Sequence, residues 1–131
     1  MPDPALRAGY AEADITPPLG GSMPGYFQDR HATGVLDPLK AKALALAAGG
    51  ESVAVVACDL VGVSADVVRR IRDRVGKLLP APPRHVWVHA THTHTGGFLP
   101  RTGGFTSDAD SIFPGYFPGD TDERWVGQMI D

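Results

Sequence analysis

With 131 residues the chain is long enough for one domain with a modest core. Its 43% hydrophobic and 21% charged content is ordinary for a globular protein, and a net charge of −3 without a Lys/Arg-rich run argues against nucleic acid as a partner. A single cysteine excludes an internal disulfide, and no apolar run reaches membrane-spanning length. Met1 to Arg7 lacks the basic and apolar regions of a secretory signal, so the expected location is the cytoplasm, or secreted if the true amino terminus lies upstream.

Arg7 to Ile15 reads as a first strand with Tyr10 and Ile15 as apolar anchors. Thr16-Pro17-Pro18-Leu19-Gly20-Gly21 stops it, because proline donates no ladder hydrogen bond. A long loop then runs through Met23-Pro24-Gly25-Tyr26 to Gly34. A second strand spans about Leu39 to Ala47, Gly49-Gly50 makes a tight turn, and Ser52 to Cys58 forms a third strand, which is the pattern of a β-hairpin. Cys58 ends the apolar run Val53-Ala54-Val55-Val56-Ala57 and reads as a small core residue rather than a nucleophile.

Ser64 is placed to cap a helix, with Asp66 in its first turn. Val67, Val68, Ile71, Val75, Leu78 and Leu79 recur at helical spacing until Pro80 and Pro82-Pro83 end the element. Arg69, Arg70, Arg72 and Arg74 interleave with Asp66 and Asp73 and read as its solvated face. His85 to Ala90 is the fourth strand. Strand, helix, strand in that order implies a right-handed crossover to a parallel neighbour, which brings the carboxyl ends of the third and fourth strands to one edge. The expected class is α/β: a mixed β-sheet with a right-handed β-α-β crossover and long Gly/Pro-rich loops.

Gly96 to Thr121 is rich in Gly, Pro and aromatic residues, and reads equally as a functional loop or as partial disorder. Thr121 then resembles an N-cap, and Asp122 to Asp131 begins a helix with apolar residues at Trp125, Val126, Met129 and Ile130. Two turns without a C-cap imply that the natural chain continues. Residues 1–131 are therefore expected to form one incomplete, amino-terminal part of a larger domain.

The chemistry concentrates in Thr91-His92-Thr93-His94-Thr95-Gly96-Gly97. Histidines at i and i+2 of an extended backbone project to the same side. Open α/β sheets bind their ligands at the carboxyl ends of strands. Neutral imidazole is the commonest protein ligand for zinc, but a catalytic zinc takes three protein ligands and one open position. The pair alone is incomplete, and a metal site and a polar loop stand as equal readings. Thr91, Thr93 and Thr95 are placed to orient imidazole nitrogens or substrate. Asp59, directly after the third strand, either orients a histidine or stabilises its turn, and Asp14 bonds the turn after the first strand. His85 and His89 share a face with Trp87 and read as structural, and His31 reads as solvent-exposed.

Several segments together resemble the neutral/alkaline non-lysosomal ceramidase family, in the amino-terminal part of its catalytic domain. They are Ala13-Asp14-Ile15-Thr16, Met23-Pro24-Gly25-Tyr26, Gly34-Val35 leading to Ala41-Lys42-Ala43, Cys58-Asp59-Leu60, and Ala90-Thr91-His92-Thr93-His94-Thr95-Gly96. Their order and spacing agree with the family from about residue 8 to residue 97, and the Thr-His-Thr-His element is the most specific. The resemblance implies a zinc-dependent amidohydrolase that cleaves the N-acyl bond of ceramide or a related lipid amide. It implies His92 as a zinc ligand and His94 as a catalytic group beside the metal. It also implies that the other ligands (a histidine, a glutamate and a tyrosine) come from later polypeptide, a role not given to Glu123 or Tyr116.

Gly25, Tyr26, Gly96 and Gly97 are the expected substrate contacts, Gly25-Tyr26 reading alternatively as a small packed hydrophobic cluster, with Asp14, Asp59, Thr91 and Thr93 supporting the histidines. The chain departs from the family at Leu36, where a histidine is common, and at Lys42, Thr95 and Gly97, where arginine, serine and proline are usual. The expected partners are a lipid amide and the carboxyl-terminal remainder of the same protein. Two other readings stand beside this one. One is a different His-x-His metallohydrolase, although the metallo-β-lactamase type needs an Asp-His where Thr95-Gly96-Gly97 stands. The other is a truncated, non-catalytic fragment that cannot complete a metal shell.

Overall fold

A computed structural model describes residues 5–97, apart from Ser22 and Asp29. The expected loop beyond Gly97 and the helix at Asp122 to Asp131 lie outside the described residues. Four strands form one sheet in the order β1-β2-β3-β4: β1 Arg7–Asp14, β2 Lys40–Ala48, β3 Glu51–Cys58 and β4 Val86–Ala90. The first two pairings are antiparallel and the third is parallel, so the sheet is mixed and the chain is α/β as expected.

The β2–β3 hairpin follows from two glycines. Gly49 and Gly50 have φ of 60° and 86°, the two consecutive left-handed residues that a tight primed turn needs, and Ala48 pairs with Glu51 directly beyond them. The crossover from β3 to β4 is carried by α1, Ala65–Leu78. Ser64 caps it, its hydroxyl accepting from Val67 N at 3.3 Å. A short 3₁₀ turn at Pro83–His85 then leads into β4, so the strand starts at Val86 and not at His85.

The core lies between α1 and one face of the sheet. Val67 and Ile71 pack with Ile15, Cys58 and Leu60. A second cluster joins Ala54, Ala81 and Val86, with Val75, Leu79 and Val88 packed against it. Leu78 is 69% exposed although it shares the helical spacing. The reason is the C-cap: Leu79 leaves the helix in extended conformation and takes the inward place itself.

Tyr10 is a second departure from expectation. It is 65% exposed and no anchor, whereas Ile15 is 2% exposed. Every residue of β1 is exposed. Strand register aligns Tyr10 with Leu44, Leu44 with Val55 and Val55 with Trp87, so one apolar row crosses all four strands on the face opposite Cys58 and Ala54. Leu44 and Trp87 in that row are exposed, and Tyr10 donates its hydroxyl to the Glu12 carboxylate at 2.8 Å. Among the described residues no helix is long and apolar enough to cross a membrane.

Candidate functional site

Parallel pairing delivers the carboxyl ends of β3 and β4 to one edge. The two exits are stitched together beyond the last ladder pair. Thr91 N donates to Cys58 O, and His92 N to Leu60 O, both at 2.9 Å. The Asp59 carboxylate ties in a third strand: Oδ2 accepts from Lys40 N at 3.0 Å and Oδ1 from the Thr91 hydroxyl at 3.2 Å. Asp59 is thus a brace between the ends of β3 and β4 and the start of β2.

His92 and His94 are not arranged by strand pleat. Strand β4 ends at Ala90, and His92 has φ of 64°, the only non-glycine residue in the left-handed region among the described residues. That conformation costs a non-glycine residue about 1–2 kcal/mol, with histidine among the more tolerant types. The turn still brings the rings together, with centroids 4.9 Å apart and planes at 77°. His92 Nδ1 lies 2.8 Å from Val61 O. A carbonyl only accepts, so Nδ1 is the donor, and in the neutral ring that leaves the lone pair on Nε2.

His94 is held from the other side by the loop after β1. Gly25 has φ of 111°, and a Cβ there would overlap the His94 ring, 2.6 Å from Nδ1. The Tyr26 ring meets His94 edge-on, with centroids 5.7 Å apart and planes at 78°. Arg30 stacks over Tyr26, its guanidinium carbon 3.8 Å from the ring centroid, and Nη2 donates to His94 O at 2.8 Å. The loop doubles back on itself to do this: Met23 N donates to Arg30 O at 2.7 Å, and Gly20 N to Ala32 O at 2.8 Å.

No family model matches the chain, and no curated protein matches it in sequence. Solved structures do. The crystal structure of neutral ceramidase from Pseudomonas aeruginosa superposes with a TM-score of 0.65 at 26% identity, covering 73% of this chain and 16% of that one. A ceramidase complexed with C2 gives 0.62 at 27% identity, with the same 73% and 16% coverage. This chain contains a neutral-ceramidase-like region. It spans 16% of the length of the ceramidases it matches.

Within the ceramidase-like region the other expected residues are distributed as follows. The Thr91 hydroxyl is committed to Asp59, and Thr93 Oγ1 lies 2.9 Å from Thr95 Oγ1, while the imidazole of His92 is oriented by the Val61 carbonyl. Asp14 accepts from Thr16 N at 2.9 Å and lies 3.6 Å from Lys40 Nζ. Hydrogen bonds from Thr16, assisted by Lys40, hold its carboxyl below the ordinary aspartate range. Asp14 is thus engaged with the turn after β1.

Gly96 and Gly97 are both buried. A Cβ on Gly96 would come 2.7 Å from Asp59 O. Gly96 and Thr93 help to line a cavity of about 460 Å³ that also carries Leu19, Met23, Val35 and Leu39 and the carboxylates Asp37 and Asp59, while His92 and His94 lie outside its lining. Gly25 and Tyr26 stand against His94. His31 is exposed as expected, its Nδ1 2.8 Å from Gly20 O.

Zinc fits this edge in part. His92 Nε2 offers one nitrogen donor with its tautomer fixed from behind, the arrangement metal-binding histidines adopt. Among the described residues, no group of three or more His, Cys, Asp or Glu side chains is gathered to share an ion. Two residues of the site had no local sequence signal. Val61 acts through its carbonyl, which every residue type has, and Arg30 reaches His94 across 64 positions.

Proposed function

We propose that this region supplies part of the active site of a zinc-dependent amidohydrolase that cleaves the N-acyl bond of ceramide or a related lipid amide. The single observation that carries the reading is the His92 imidazole, with Nδ1 2.8 Å from Val61 O and its ring 4.9 Å from that of His94. His92 Nε2 would hold the metal, and the remaining ligands would come from polypeptide outside the described residues. When bound, zinc supplies Lewis acidity to the amide carbonyl and lowers the pKa of water toward neutrality.

His94 then serves as the neighbouring donor, offering an imidazole N–H where negative charge grows on the carbonyl oxygen. The 460 Å³ cavity beside Thr93 and Gly96 receives the apolar acyl part, since Leu19, Met23, Val35 and Leu39 favour hydrocarbon over water. The ceramidase structures favour this reading over a different His-x-His metallohydrolase or a non-catalytic fragment.

The test replaces His92 with Asn, which tolerates a left-handed backbone better than Ala does. Zinc is titrated into the wild-type protein while the imidazole nitrogens are followed by NMR. The expected result is a selective shift of His92 Nε2 that the variant lacks. Hydrolysis of a fluorescent N-acyl amide by the intact enzyme should also fall by more than about 100-fold, exceeding the loss usual for residues behind a ligand. Zinc that leaves Nε2 unmoved, with an unchanged hydrolysis rate in the variant, overturns the proposal.

A further inference from the structure

The loop that reaches His94 ends on an arginine that the proposed chemistry does not use. Arg30 is half-buried and makes two contacts of different kinds. Its Nη2 donates to the main-chain oxygen of His94 at 2.8 Å. Its guanidinium carbon lies over Tyr26, 3.8 Å from the ring centroid. Tyr26 in turn places its ring 5.7 Å from that of His94, at 78°. One cation therefore touches the backbone of His94 and also the aromatic ring that abuts its imidazole. Arg30 Nε is buried without a hydrogen-bond partner among the described residues. An unpaired buried donor is unfavourable, so the stacked position is kept despite it. Lysine cannot reproduce the arrangement, because it lacks the planar fork that stacks and donates at once.

We propose that Arg30 is a positioning residue for His94. It fixes the main chain of His94 directly and, through Tyr26, the angle of the imidazole toward His92. Gly25 closes the remaining side, its main chain flush against the ring. The consequence for catalysis rests on the proposed role of His94, whereas the clamp itself involves no metal. Misplacing a reacting group by about 1 Å costs on the order of 100-fold in rate, so such a clamp has a large effect to exert.

The experiment is NMR on the intact protein freed of zinc, comparing wild type with Arg30→Met, Arg30→Lys and Tyr26→Leu. Cross-peaks between the ring protons of Tyr26 and His94 are expected in the wild type. They should vanish in Arg30→Met and survive weakened in Arg30→Lys. In Tyr26→Leu the His94 ring resonances should move in the same direction as in Arg30→Met, while the amides of Val55 and Val88 keep their positions in every variant.

Undiminished cross-peaks in Arg30→Met overturn the inference. So does collapse of the Val55 and Val88 amides in both Arg30→Met and Tyr26→Leu, because that marks a general packing role. In the intact enzyme, Arg30→Met should lower kcat about 10- to 100-fold at unchanged KM and zinc content. The two readings fail separately. Loss of the ring cross-peaks in Arg30→Met, with no zinc effect on His92, keeps the clamp and removes the metal. A normal zinc shift with persistent cross-peaks does the reverse.

Discussion

A methyl group at position 25 has no room. It would overlap the His94 imidazole and would sit on a backbone with φ of 111°, which side-chain-bearing residues rarely adopt. Gly25→Ala is therefore expected to lose about 1–3 kcal/mol of stability, measured by urea denaturation, and to displace the His94 ring resonances. Gly25 and His94 were each legible as candidates; their contact was not, because 69 positions of chain separate them. His92 shows a different limit. Its neighbours Thr91 and Thr93 suggest hydroxyl support, but the support comes from the Val61 carbonyl. Its left-handed backbone is also invisible in a sequence that alternates as regularly as a strand.

At the level of elements, punctuation residues were the reliable guides. Gly49-Gly50 demanded two left-handed residues and found them, and Ser64 capped the helix where its hydroxyl could reach Val67 N. Ser64→Ala should cost about 1 kcal/mol, read as a lower urea midpoint with an unchanged slope. The same change should loosen the exits of β3 and β4, because α1 joins them. Apolar spacing was a weaker guide at Tyr10 and Leu78. Periodicity assigns a side to a residue, but burial depends on what lies across from it. Nothing among the described residues covers the Tyr10 side of β1, and Leu79 pre-empts the place open to Leu78.

For the whole molecule, the order strand, hairpin, helix, strand was enough to read an α/β sheet with a parallel pair, since only a crossover connects parallel neighbours. The site was half legible for the same reason. Elements that follow one another in sequence could be placed, while the loop folding back to bring Arg30 onto His94 could not. The sheet that results has α1 on one face and an apolar row, Tyr10 to Trp87, on the other. Trp87 is 67% exposed, so Trp87→Thr should change stability by less than about 0.5 kcal/mol while raising solubility, checked by urea melts and light scattering.

Cys58 is fully enclosed at the end of β3, next to the brace that joins three strands. Burial, with Asp59 adding to it, pushes its thiol up from 9.0 to about 11. The folded form then holds its proton where an unfolded thiol has lost one. Stability from this group is complete below pH 9 and drains away as pH climbs toward 11, a slope that Cys58→Ala should flatten in urea melts across that interval. The same enclosure turns the lone sulfur into a chronometer. A small alkylating reagent can mark it only in the moments when the strands part, so the labelling rate counts how often this edge breathes.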